Sequence, residues 1–207
     1  MAPDFTDPCA MTYDLLFALL GFAFVTSVTP GPNNLMLMAS GANFGFRRTL
    51  PHMLGISLGF AVLAGAVGLG LAGLLHSVPP VMLALKALAV AYMLWLAWKI
   101  AHAGAPGEGR AGARPLTLLQ AALFQWVNPK AWAMALGAIA VYAPGGRIAE
   151  IALVAAIFSL VNLPTVGLWA WAGEALRHWL GAPHRLRLFN LTMAAALVAS
   201  LWPVLKM

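Results

Sequence analysis

Five residues, Pro30-Gly31-Pro32-Asn33-Asn34, interrupt an apolar run that begins near Leu15 and resumes at Leu35. Two prolines so close break a helix, because each lacks an N–H and clashes with the turn before it. The glycine between them opens backbone conformations closed to other residues. In a soluble helix such a cluster would simply end it. Inside a membrane the freed carbonyls and amides must find partners, so broken backbone there lines a cavity or a substrate site. A tight loop between two ordinary helices is the plainer alternative.

Composition decides which setting applies. Hydrophobic residues make up 62% of the chain and charged residues 9%. Soluble domains carry roughly 45–50% and about 25%. The mean hydropathy is +0.85 and the pI about 10.1. The Lys and Arg residues are few and scattered, which argues against nucleic acid and makes the basic excess a topology signal. The single cysteine, Cys9, has no partner for an intramolecular disulfide and no metal ligands near it. Residues 1–14 carry Asp4, Asp7 and Asp14 and no basic n-region, so they do not read as a signal peptide. Met11 is an alternative start.

The pattern predicts an all-α integral membrane protein of six spans in a single transmembrane domain. Span 1 covers about 13–29, and a half-helix of about 33–44 follows the break. Gly45-Phe46-Arg47-Arg48 reads as a basic turn. Span 2, about 50–75, is studded with glycine. Gly55 and Gly59 form a small-xxx-small pair that lets backbones approach, or are simply glycines in an apolar helix. Span 3, about 81–100, ends with Trp95, Trp98 and Lys99, an interfacial pairing of aromatics with a cation. Lys86 lies in that span and can snorkel outward. Span 4, about 116–142, contains Asn128-Pro129-Lys130. Span 5, about 148–171, contains Asn162-Leu163-Pro164. Span 6 covers about 188–205.

The polar linker 102–115 divides the chain into repeat one, about 12–101, and repeat two, about 116–205. Each repeat has three spans, and each opens with a span broken by Asn and Pro. An odd number of spans makes the second repeat enter from the opposite face, giving an inverted repeat with the two breaks near the midplane. Arg47, Arg48, Lys99, Arg110, Arg114, Arg177, Arg185 and Arg187 fall on one side, and only Arg147 and Lys206 on the other. The positive-inside rule then places both termini in the periplasm.

Lys130 is the most informative residue. A lysine at a helix centre costs about 2.5–3.5 kcal/mol on insertion scales. The acids Asp14, Glu150 and Glu174 all lie near span ends, so a substrate carboxylate is the candidate partner. A later start to span 4, with Lys130 snorkelling to an interface, is the alternative. Asn33, Asn34, Asn128 and Asn162 offer uncharged donors and acceptors beside the breaks. They suit a substrate, and equally suit helix capping. Half-helices beginning at Pro32 and Pro129 would aim positive dipole ends at a carboxylate. No HExxH, Walker or CxxC motif occurs, and no cofactor is implied. Ser27 and Ser57 lack an intramembrane His–Asp set, which disfavours an enzyme. His52, His76, His102, His178 and His184 are expected at span ends or in loops, with surface roles.

Thr29-Pro30-Gly31-Pro32-Asn33-Asn34, then Gly45-Phe46-Arg47, then Gly55-Ile56-Ser57-Leu58-Gly59 resemble the lysine exporter (LysE/RhtB) superfamily of bacterial amino-acid efflux proteins. Gln125-Trp126-Val127-Asn128-Pro129-Lys130 matches its second signature, and Leu94-Trp95-Leu96-Ala97-Trp98-Lys99 the end of its third span. The Asn-Asn pair leans toward the cysteine/O-acetylserine exporter branch. The resemblance implies an inner-membrane homodimer in the lipid bilayer that exports an amino-acid substrate with the proton gradient. It carries Pro30, Gly31, Pro32, Asn128, Pro129 and Lys130 over as site residues. Some relatives carry an acid in span 5, where this chain has Asn162, which argues against a cationic substrate. An aquaporin-like small-solute channel is the rival reading, since Asn-Pro half-helices occur there too, and Lys130 counts against it. The sequence does not name the amino acid, the coupling ion, the proton carrier or the oligomer.

Overall fold

The structure, a computed structural model, describes residues 12–103 and 114–202. Met11, Cys9, Arg110, most of the 102–115 linker and the final stretch with Lys206 lie outside the described residues. In chain order the helices are α1 (Tyr13–Val28), α2 (Pro32–Phe44), α3 (Phe46–Gly68), α4 (Leu71–His76) and α5 (Pro79–Ala101). After the linker come α6 (Leu118–Phe124), α7 (Pro129–Tyr142), α8 (Ile148–Leu176) and α9 (Pro183–Ala199). A 3-10 turn, Gln125–Val127, leads into Asn128 between α6 and α7. No strand occurs among the described residues.

Helix α3, helix α8 and the Leu83–Ala101 part of α5 are each long and apolar enough to cross a membrane. The pair α1 and α2, bent by 56° at the break, makes a fourth span if counted as one. Large apolar side chains stand exposed on the outside, among them Phe17, Leu160 and Trp171. In water such a surface would be costly; against acyl chains it is not. The chain is a multi-pass helical membrane protein.

Both breaks fall where the prolines predict. Span 2 differs from expectation. Helix α3 begins at Phe46, so Arg47 and Arg48 lie in its first turn and Gly45 alone separates it from α2. Gly45 has φ 86°, a left-handed value that a side chain strains. Helix α3 ends at Gly68, and Gly70, with φ 96°, starts the separate α4. His52 is therefore two turns inside a helix, not in a loop. It is 2% exposed, and neither ring nitrogen finds a partner among the described residues. The surface role expected for it is wrong: moving the helix start back to Phe46 turns residue 52 inward.

Lipid supplies little hydrophobic drive between helices, so close backbone approach has to bind them. Glycines provide it. Gly55 lies against the Leu118 carbonyl, and a Cβ on Gly59 would stand 2.5 Å from Ala122 Cα. The small-xxx-small pair is thus the seat of α6. The tightest approach was not anticipated: Gly41 of α2 lies on the Ala170 carbonyl of α8, and Gly173 of α8 on the Met38 carbonyl of α2. One apolar cluster joins α1, α3, α7 and α8 around Leu19, Phe60 and Phe158, the two rings 4.9 Å apart. A second joins α2, α3, α5 and α9 around Leu37, Ile56, Met93 and Leu197. Lys99 Nζ sits 4.7 Å over the Trp95 ring, the aromatic–cation pairing expected at that helix end.

Candidate functional site

The end of α1 shows what the prolines cost. In a continuous helix the carbonyls of Thr26 and Val28 would accept the N–H groups of residues 30 and 32, and both are proline. Side chains replace them. Thr29 Oγ1 donates to Thr26 O at 3.0 Å, and Trp169 Nε1 from α8 donates to Val28 O at 3.1 Å. Asn34 Nδ2 donates to Ser27 O and to Thr29 O, each at 2.8 Å. Asn34 thus reaches back across the break it follows.

The second break meets the first here. Lys130 Nζ, from the first turn of α7, donates to Thr29 O at 2.5 Å and contacts Thr29 Oγ1 at 3.0 Å. Gly31 has φ −175°, extended backbone that any residue can adopt, so its conformation does not demand glycine. Space does: a Cβ there would stand 2.6 Å from Lys130 Cδ. The lysine stem lies across the bare glycine. Asn33 and Gln125 exchange amide hydrogen bonds of 2.9 and 3.2 Å, the second tie between the breaks. Asn128 Oδ1 caps α7 by accepting the Lys130 N–H at 3.2 Å. Pro32 and Pro129 both occupy first-turn positions, where a missing N–H costs nothing.

A narrow cavity opens between α1, α2, α7 and α8. Gly31, Asn33, Asn34, Asn128, Lys130 and Asn162 all line it, with Ser27 and Phe60. Pro30, Pro32 and Pro129 do not; they shape the breaks from outside the cavity. Lys130 is half-buried and forms no ion pair with a described residue; the carbonyl and hydroxyl it contacts are neutral. Asn162 is 4% exposed, and its Oδ1 is unpartnered among the described residues. Three contributors escaped the sequence reading as partners: Thr29, Gln125 and Trp169. Thr29 and Gln125 stand inside the quoted motifs, so their position was the available signal. Trp169 carried none, because an apolar helix offers many indoles.

A larger, open pocket lies along the other half of α2, lined by Ser40, Asn43, His52, Lys99 and Arg114 among others. It shares no lining residue with the first. Asn43 and Asn190 exchange amide bonds of 2.9 and 3.3 Å beside it, joining α2 to α9.

The sequence profile of the LysE type translocators matches residues 24–200, which contain both breaks and the cavity between them. The cysteine/O-acetylserine efflux protein of Salmonella typhimurium is 31% identical over 194 residues, 91% of this chain and 96% of that protein. The protein of the same description from Klebsiella pneumoniae is 32% identical over 170 residues, 79% of this chain and 84% of its own. That from Escherichia coli K12 is 35% identical over 121 residues, 58% and 61% of the two chains. No solved structure matches. Covered by that profile over most of its length and by full-length relatives, the chain belongs to the LysE type translocator family and is a transporter, not an enzyme.

Proposed function

We propose that the protein is a secondary transporter that exports small neutral amino acids or their derivatives from the cytoplasm across the bacterial inner membrane, driven by the proton gradient. The observation that carries this reading is Lys130. A cation from one break faces a cavity at the other, its protein partners are neutral, and no described carboxylate pairs with it. A charge held this way at membrane depth is a functional site by default, and a substrate α-carboxylate fits it. The efflux of cysteine and O-acetylserine named for the relatives supports a small zwitterionic cargo.

Six spans in two inverted repeats remain the architecture we favour. Helix pairing supports it: α1 packs on α8 as α6 packs on α3, α2 on α8 as α7 on α3, while α3–α8 and α5–α9 pair with each other. That is the pattern a two-fold relation between the halves would give. We place both termini in the periplasm and take the working unit to be a homodimer. Orientation is checked with a cysteine introduced in 104–113 in a Cys9-free background. An impermeant thiol reagent added to intact cells should leave it unlabelled, and ready labelling inverts the assignment.

Efflux from loaded vesicles tests the function. Screened across amino acids, flux should saturate and should respond to an imposed proton gradient. Flux that rises linearly with concentration and ignores the gradient identifies a channel instead.

A further inference from the structure

We propose that Ser27 Oγ and Asn162 Oδ1 form the ammonium-accepting pole of the central cavity, so that the cargo is held as a zwitterion between them and Lys130. The proposal rests on the carboxylate reading of Lys130 given above and adds the opposite end of the ligand.

An inventory of polar atoms leads to it. Asn33 and Gln125 spend their amides on each other. Asn34 Nδ2 is taken by Ser27 O and Thr29 O, and Asn128 Oδ1 by the Lys130 N–H. Of the side-chain oxygens on lining residues that receive no bond, which include Asn34 Oδ1, two are fully buried. Ser27 Oγ and Asn162 Oδ1 are buried and have no partner among the described residues. Buried polar atoms are nearly always bonded, and no solvent at membrane depth makes up the loss.

Ser27 departs from its neighbours in a telling way. Several helical hydroxyls in this protein bond back to the carbonyl four residues earlier: Thr26 to Phe22 O at 2.6 Å, Ser159 to Ala155 O, Thr165 to Val161 O and Thr192 to Leu188 O; Ser57 of α3, away from this cavity, does not. That bond is the ordinary resting place of such a group. Ser27, beside Thr26, makes no such bond. The hydroxyl is left for something in the cavity.

Chemistry fixes what that something is. A hydroxyl and an amide oxygen accept hydrogen bonds, and an ammonium has three to give. Neither oxygen is charged, and no Asp or Glu lines the cavity. Neutral acceptors do not balance a free cation in a poorly solvated site. They suffice when the ligand's own carboxylate, seated on Lys130, supplies the countercharge. The remaining wall is apolar, with Phe60, Met134 and Val166, and suits a short uncharged side chain. Monoamino acids fit, whereas amines without a carboxylate and amino acids with a cationic side chain do not.

The test uses the full chain in proteoliposomes under reducing conditions, with L-cysteine as transported probe. Competitors are N-acetylcysteine, which lacks the ammonium, and cysteamine, which lacks the carboxylate. Asn162→Leu and Ser27→Ala should each raise the KM for cysteine about tenfold with a smaller change in kcat. Weak competition by N-acetylcysteine should be unchanged in both. Lys130→Met should lose N-acetylcysteine competition as well, which separates the two poles. Asn162→Asp supplies the missing charge and should make cysteamine an effective competitor, a gain that damaged folding cannot mimic. The proposal is overturned if KM stays within twofold in Asn162→Leu and Ser27→Ala, or if Asn162→Asp still ignores cysteamine. Either result leaves the Lys130 assignment standing.

Discussion

Lys130→Met should lower amino-acid export at least a hundredfold while the protein still reaches the membrane in normal amount. Methionine keeps the length of the stem that lies across Gly31 and removes only the charge. The fold loses the hydrogen bonds to Thr29, each worth about 1.5–3 kcal/mol for a charged donor. That loss is moderated because Thr29 O keeps its bond from Asn34 at 2.8 Å. Removing a half-buried cation also relieves part of its desolvation cost. Transport has no such compensation, because no other cation lines the cavity. Lys130→Arg should keep partial activity. The channel over Gly31 admits a narrow stem, and a planar guanidinium is wider than the ammonium it replaces. Export near the unmodified rate from Lys130→Met would reduce this lysine to a strut between the breaks.

The second large effect is on assembly. Gly173→Ala and Gly41→Ala should each remove most of the folded protein, although each adds a single methyl group. At both positions the new carbon would overlap a main-chain carbonyl, of Met38 and of Ala170 respectively. A flexible side chain could swing away; a helix backbone cannot. Overpacking usually costs about 1–3 kcal/mol, and here relief requires separating α2 from α8. Gly21→Ala is the control, since nothing lies within 4 Å of a Cβ there. The readout is the monodisperse fraction of detergent-extracted protein on size exclusion. Equal yields for Gly173→Ala and Gly21→Ala would show that the two helices are held by something else.

How legible each feature was depends on how far its cause reaches along the chain. Proline acts on its own turn, so both breaks could be placed to within a residue or two, at Val28–Pro32 and Val127–Pro129. Gly55 and Gly59 are four apart on one helix, and their pairing was readable as a pattern. Gly41 and Gly173 are 132 residues apart in sequence and announce nothing singly. The same distance hid Trp169, which completes the end of α1 from another helix. Asn34 and Asn128 were open to two readings, cargo or cap. Their bonds to the ends of α1 and α7 show them capping, and both also line the cavity. His52 was misplaced because the start of α3 depends on one residue, Gly45, whose left-handed backbone lets α2 run almost directly into α3.

Beyond the backbone bond from the Thr29 N–H to Val25 O, the hydrogen bonds that close the end of α1 come from the side chains of Thr29, Asn34, Trp169 and Lys130. A backbone helix is remade cooperatively: shifting its end by one turn means exchanging several bonds together. Bonds made by side chains turn over singly, each by a rotation about one or two χ angles, and a carbonyl released by one donor can be held by another. Thr29 O already has two. The joint between α1 and α2 is therefore a place where the angle of two half-helices can change in small steps, with no turn of helix melted. For the secondary transporter proposed above, which has to present one cavity to two sides of a membrane, that joint is an articulation whose stiffness is set by which donors are engaged.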